Sequence, residues 1–200
     1  VNKVEINKTY PVRTLLTGLG LFLIISVIFG FISLKTNMAI PLLLGVPIGT
    51  LLLFYIFGEL TKGSIVLAVV CSLMVGLIGT LAGSAAGSML SLYLASQIPS
   101  LSHWAQIQLI PNLVTLIIAN ALFAATMAGV FYGRNAIGLF AKVAAIVGIL
   151  FGLLLCIPDI SWIPFDQKIL FIVTSYGTST GLAVGLYKLQ SVKNMKSVKR

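Results

Sequence analysis

Charge is what this sequence has least of. Only 8% of its 200 residues are Asp, Glu, Lys or Arg, against about 25% in ordinary soluble domains. So few charges cannot cover a water-facing surface, which excludes a soluble globular enzyme and a nucleic-acid-binding module. Acids are rarest: Glu5, Glu59, Asp159 and Asp166 are the full set. None lies inside an apolar run, so the chain lacks the mid-membrane carboxylate on which proton-coupled carriers and pumps depend. His103 is the single histidine, and no second His, Cys or acid in its segment could complete a metal site or make it a catalytic base. The two cysteines, Cys71 and Cys156, form neither CxxC nor zinc spacing and read as small buried hydrophobes. There is no Walker A, HExxH or dinucleotide fingerprint. No cofactor, metal or catalytic constellation is therefore expected, and if ATP drives this protein the ATPase is another chain.

Apolar residues fill the space that charge leaves. They make up 58% of the chain, the mean hydropathy is +1.10, and disorder is excluded by the same numbers. A membrane span needs about 20 mainly apolar residues. Six segments qualify: Thr14–Leu34, Met38–Phe57, Ser64 to about Leu90 with a continuation toward Tyr93, Leu109–Tyr132, Ala136–Ile157 and Ile169–Leu189. The first is too long for a signal-peptide core and no A-x-A site closes it. Three connections are short; 98–108, with His103 and Trp104, and 158–168, with Trp162, are longer. Tryptophan prefers the membrane interface, so these two segments are expected along one membrane surface.

Counting cations on alternate sides gives an orientation. Lys3, Lys8, Arg13, Lys62, Arg134, Lys188, Lys193, Lys196, Lys199 and Arg200 fall on one side, Lys35 and Lys168 on the other. Lys142, about two turns into the fifth segment, can snorkel back to the basic side. By the positive-inside rule the basic side is cytoplasmic. The expected fold is all-α: a polytopic membrane protein, a compact bundle of six transmembrane helices with both termini inside, in a plasma membrane of bacterial inner-membrane type. Residues 1–13 form a cytoplasmic segment, 14–189 the transmembrane domain, and 190–200 a basic tail, either resting on anionic headgroups or a solvated helix end.

Small residues recur at spacing four, which puts each set on one helix face. Gly79, Gly83 and Gly87, followed by Ser91, mark the third segment; Ser72, Gly76, Thr80, Ser84 and Ser88 run beside them. Gly177, Gly181 and Gly185 mark the sixth, Gly45 and Gly49 the second, Ala144, Gly148 and Gly152 the fifth. In lipid such stripes let backbones approach closely. The readings that follow are packing within the bundle, docking of another membrane subunit, or a narrow route for a solute. The Gly83–Ser88 stretch also suggests a serine nucleophile, but it has no base nearby.

Polar groups at membrane depth carry the functional signal. The densest run is Thr174-Ser175-Tyr176-Gly177-Thr178-Ser179-Thr180; Asn112, Thr115, Asn120 and Thr126 punctuate the fourth segment, and Pro41 and Pro47 can kink the second. Hydroxyls can bond back to their own helix, or they can line a solute pocket. Asn112, Asn120, Thr174, Ser175, Tyr176 and Thr178 are the candidate solute-binding residues, in a pocket formed by segments two, three, four and six. Asp159, Asp166 and Lys168 are the one ionisable cluster near an interface, and an interfacial loop accounts for them better than a lipid-acting enzyme does.

The sequence thus points to a membrane-embedded component that binds or transports a small solute, with the lipid bilayer and other membrane subunits as partners. The alternative is an accessory or structural subunit of a larger membrane complex, with no solute of its own. In size and topology the plan is similar to the substrate-capture subunits of energy-coupling-factor vitamin transporters; that similarity implies a coupling protein and two ATPases as partners.

Overall fold

The structure, a computed structural model, describes residues 9–36, 40–60, 62–98, 100, 109–155 and 167–198. All regular structure among them is helical: α1 Tyr10–Thr36, α2 Ile40–Ile56, α3 Lys62–Gln97, α4 Leu109–Phe131, α5 Arg134–Leu154 and α6 Gln167–Val198. Four are long and apolar enough to cross a membrane: α1, α3 from Ser64, α4 and α5. Two expected spans differ. Helix α2 has 17 residues, short of the span length once the described bounds are applied. Helix α6 has 32 residues, but its hydroxyl run makes it the least apolar. It also continues as helix to Val198, through most of the stretch expected as a tail. The tryptophans, His103, Cys156 and the cluster Asp159, Asp166 and Lys168 lie outside the residues whose structure or side chains are described.

The polarity is inverted relative to a soluble protein. Exposed large apolar side chains line the outside of α1 (Leu16, Ile24, Ile28), α3 (Val66, Leu81, Leu92) and α5 (Ile146, Leu150). The inside holds Ser26, Thr50, Ser72, Asn120, Ser175, Ser179 and Thr180. A water-soluble monomer rarely exposes so large an apolar surface; lipid suits it. Helix α6 occupies the centre, since every residue from Val173 to Gly181 is buried, which a helix on the periphery never shows.

Glycine decides which helices touch. A Cβ on Gly181 would strike the Thr14 carbonyl oxygen, and one on Gly18 would strike the carbonyl of Gly177, so α1 and α6 meet backbone to backbone. Helix α3 meets α4 the same way: a Cβ on Gly83 would lie 2.7 Å from the Thr115 oxygen, and on Gly87 2.7 Å from that of Pro111. Helix α5 closes on the other side of α4, where a Cβ on Gly148 would come within 2.6 Å of the Leu116 oxygen. The bundle thus consists of two glycine-sealed units, α1–α6 and α3–α4–α5. Helix α2 rests on both through side chains, with Phe22 against Gly49 and Val46 beside Gly76.

The register of these contacts brings the start of α1, the end of α2, the end of α4 and the C-terminal part of α6 to one end of the bundle: Gly185 lies on Pro11 and Thr14, Lys188 reaches Glu59, and the Tyr132 and Tyr187 rings are 5.1 Å apart. The α4–α5 turn at this end needs Gly133, whose φ of 80° and ψ of −178° fall where only glycine is comfortable. Gly133→Ala is expected to cost about 1–3 kcal/mol, read by thermal unfolding in detergent. An unchanged midpoint would show that the turn adapts.

Candidate functional site

Asn120 is fully buried at the middle of α4. Burying an amide in an apolar setting is costly unless its donors and acceptor are engaged. Its Nδ2 donates to the Leu116 carbonyl at 2.9 Å and to Ser175 Oγ on α6 at 2.9 Å. Its Oδ1 lies 3.1 Å from Ser179 Oγ, which donates to it. The same hydroxyl lies 3.0 Å from its own helix at the Tyr176 carbonyl, so one proton serves two acceptors in alternation. Ser175 donates in turn to the Ile172 carbonyl at 2.6 Å.

One position on, Tyr176 leaves α6 on a different side. Among the described residues its ring is the largest fully buried side chain, and it stacks on Phe123 of α4 with centroids 4.5 Å apart. Its hydroxyl reaches α3, 2.8 Å from Thr80 Oγ1 and donating to the Gly76 carbonyl at 3.2 Å. Thr80 also bonds Gly76, at 2.7 Å. With Val46 of α2 packed beside Gly76, the ring stands where α2, α3, α4 and α6 converge, the four segments from which a pocket was expected.

The candidate residues therefore divide. Asn120, Ser175 and Tyr176 come together, and Ser179, Thr80 and Gly76 complete the set. Thr178 is buried and bonds its own helix at the Thr174 carbonyl, 2.9 Å away. Helical spacing puts Thr174 and Thr178 on the side of α6 that carries Gly177, Gly181 and Gly185, turned away from Asn120. Asn112 is half-buried, and its eight-residue separation from Asn120 is about 12 Å along α4, outside the network. The remaining candidates, Gly79, Gly83, Gly87, Gly177, Gly181 and Gly185, all face neighbouring helices of the same chain; Ser84 and Ser88 face outward. Thr80 was visible in the sequence only as one member of a small-residue stripe. Buried hydroxyls with no hydrogen-bond partner among the described residues include those of Ser26, Thr174 and Thr180.

At the end of the bundle that holds Gly133, Lys188 of α6 pairs with Glu59 and donates to the Phe57 carbonyl at 3.2 Å. Around them Tyr132 packs on Tyr187 and on Phe140, the latter at 5.5 Å. Both partners of the ion pair remain part-exposed, 20% for Lys188 and 25% for Glu59. Such a pair contributes under about 1 kcal/mol. Glu59→Gln is expected to lower stability by about 0.5 kcal/mol at low salt, with the difference vanishing near 1 M salt. A loss that ignores ionic strength would show that the carboxylate acts as more than a charge.

No protein-family model, characterised protein or solved structure matches this chain. Its function has to be argued from the site itself.

Proposed function

We propose that this chain is the membrane-embedded binding or transport component for a small, uncharged, hydrogen-bonding solute. It would act as a six-span bundle in a bacterial inner membrane with both termini cytoplasmic, without catalysis of its own. The observation that carries the reading is the placement of the interhelical polar contacts. Besides bonds to their own helices, Asn120, Ser175, Ser179, Tyr176 and Thr80 make side-chain hydrogen bonds between α6 and the α3–α4 pair, across the boundary of the two glycine-sealed units. The seams inside each unit are closed by backbone contact instead. Polar groups at membrane depth are costly and cluster on solute routes. Interhelical bonds of this kind are worth only about 0.6 kcal/mol each on average in a bilayer, so a solute that offers equal bonds can replace them.

The lining chemistry, an amide, hydroxyls and a phenol, favours a neutral solute. The orientation follows the cations, since Arg13, Arg134 and Lys188 belong to the end that carries the start of α1 and the end of α4, while Lys35 closes α1 at the other. Partner subunits, including the coupling protein and ATPases that the similarity in plan to energy-coupling-factor capture subunits implies, would supply the driving force.

The test is a thermal-shift screen of small polar metabolites against the protein in nanodiscs, followed by Asn120→Leu. A solute that stabilises the wild type should lose at least tenfold in affinity in the variant, while its melting temperature without solute moves by only a few degrees. Equal affinity in both proteins would remove Asn120 and this site from the account. If no solute binds and the chain purifies in fixed ratio with a larger membrane complex, the accessory-subunit reading replaces this one.

A further inference from the structure

The way Tyr176 is held suggests a role beyond filling space. Helices α3 and α6 make no close backbone approach, although each packs against α2 and α4. What spans the gap is the Tyr176 side chain, wholly buried and tied by its hydroxyl to Thr80 and Gly76. A Cβ at position 76 would meet the Tyr176 ring at 3.9 Å and Val46 at 3.5 Å, ordinary contact distances, so what Gly76 supplies is the carbonyl that receives the hydroxyl. One turn further along the same side of α6 lies Thr180, 1% exposed and with a hydroxyl that has no partner among the described residues. Beyond it, near the end of the bundle, come Tyr187 and Lys188, the latter latched to Glu59. A single side of α6 therefore carries a hydrogen-bonded ring and, one turn on, a hydroxyl with no partner among the described residues.

We propose that Tyr176 is the gate of the solute path. Its ring fills the space bounded by α2, α3, α4 and α6, and release of its hydroxyl from Gly76 and Thr80 lets the α3–α4–α5 unit part from the α1–α6 unit and admits a solute to Asn120, Ser175, Ser179 and Thr180. The inference rests on the reading of this site as a solute site, and it adds the residue that controls entry. Parting at this boundary leaves every glycine seam intact; it breaks the side-chain hydrogen bonds and separates the apolar side chains of α5 and α6 that meet there.

The experiment needs no knowledge of the solute. Cys71 and Cys156 are replaced by alanine and Ser179 by cysteine, in protein held in nanodiscs, and the alkylation rate with a small water-soluble maleimide is measured. With Tyr176 present the thiol should react slowly. Tyr176→Phe keeps the ring but removes the hydroxyl, and the rate should rise about eightfold, the factor that loss of two average interhelical bonds would give. Leu113→Ala, a truncation within the α3–α4–α5 unit where Leu113 lies against Gly152 of α5, should leave the rate unchanged. An unchanged rate in Tyr176→Phe, or an equal rise in both variants, would overturn the gate. A normal gate result combined with failure to bind any solute would instead overturn the transport reading and leave the hinge between the units standing.

Discussion

Gly181→Leu is expected to leave no stable folded form of the protein. The position is buried at the α1–α6 seam, and even a methyl group there would strike the Thr14 carbonyl oxygen and crowd the Gly18 Cα. Neither obstacle is the end of a flexible side chain, so relief requires the two helices to separate. Overpacking of a dense interior already costs about 1–3 kcal/mol where side chains can shift; here the backbone must move, and about 3 kcal/mol or more is expected. In lipid the loss is not recovered by hydrophobic burial, because helix association depends on close packing. Size-exclusion profiles and thermal unfolding in detergent provide the readout. Gly138→Ala is the contrasting case: a Cβ there meets nothing within 4 Å, so replacing a mid-helix glycine should be neutral or stabilising by up to about 1 kcal/mol. If Gly181→Leu melts like the wild type, the seam is not closed as described.

Tyr176→Ala is expected to cost about 3–5 kcal/mol. The estimate follows from the ring's complete burial, its stacking on Phe123 and its place where four helices meet, since aromatic-to-alanine truncations in cores cost this much. Tyr176→Phe should cost only about 1 kcal/mol, because the volume stays and only the bonds to Gly76 and Thr80 are lost. The ratio between the two variants is the informative quantity. Similar losses would mean that the hydroxyl, and not the ring, holds α3 to α6; negligible loss from alanine would mean that the space can collapse. Chemical denaturation in mixed micelles measures both.

The sequence makes the secondary structure visible because lipid imposes one solution on a long apolar run: a helix that satisfies its own backbone. The starts of α1, α3 and α4 fall within four residues of the expected spans. The spacing-four glycines likewise fall on single faces, as geometry requires. Hydropathy alone is less informative about α2 and α6. It counts Phe57 toward a second span whose described helix ends at Ile56, and it does not reveal that the polar α6 sits innermost. There the hydroxyls of Ser175, Thr178 and Ser179 bond the helix's own carbonyls, so polarity and helicity coexist.

The candidate site was half visible. Asn120 stands out as an amide in mid-helix, and Ser175 and Tyr176 as members of a polar run. What joins them is tertiary: Tyr176 meets Thr80 across 96 positions of sequence, and Lys188 meets Phe57 across 131. No local pattern encodes which side of α6 faces which neighbour. That is why Thr174 and Thr178 stood level with Ser175 in the sequence, although helical spacing turns them away from Asn120.

The central claim is that α6 is the polar axis of a bundle whose outside meets lipid. Single spin labels placed along α6 from Ile172 to Val184, and along α3 at Met74, Leu77, Leu81 and Met89, would test it through their collision rates with oxygen dissolved in the bilayer. The α3 series should show high oxygen contact, and the α6 series low contact at every position with no helical periodicity. A 3.6-residue oscillation along α6 that reaches the α3 values would place one of its faces in lipid and contradict the account.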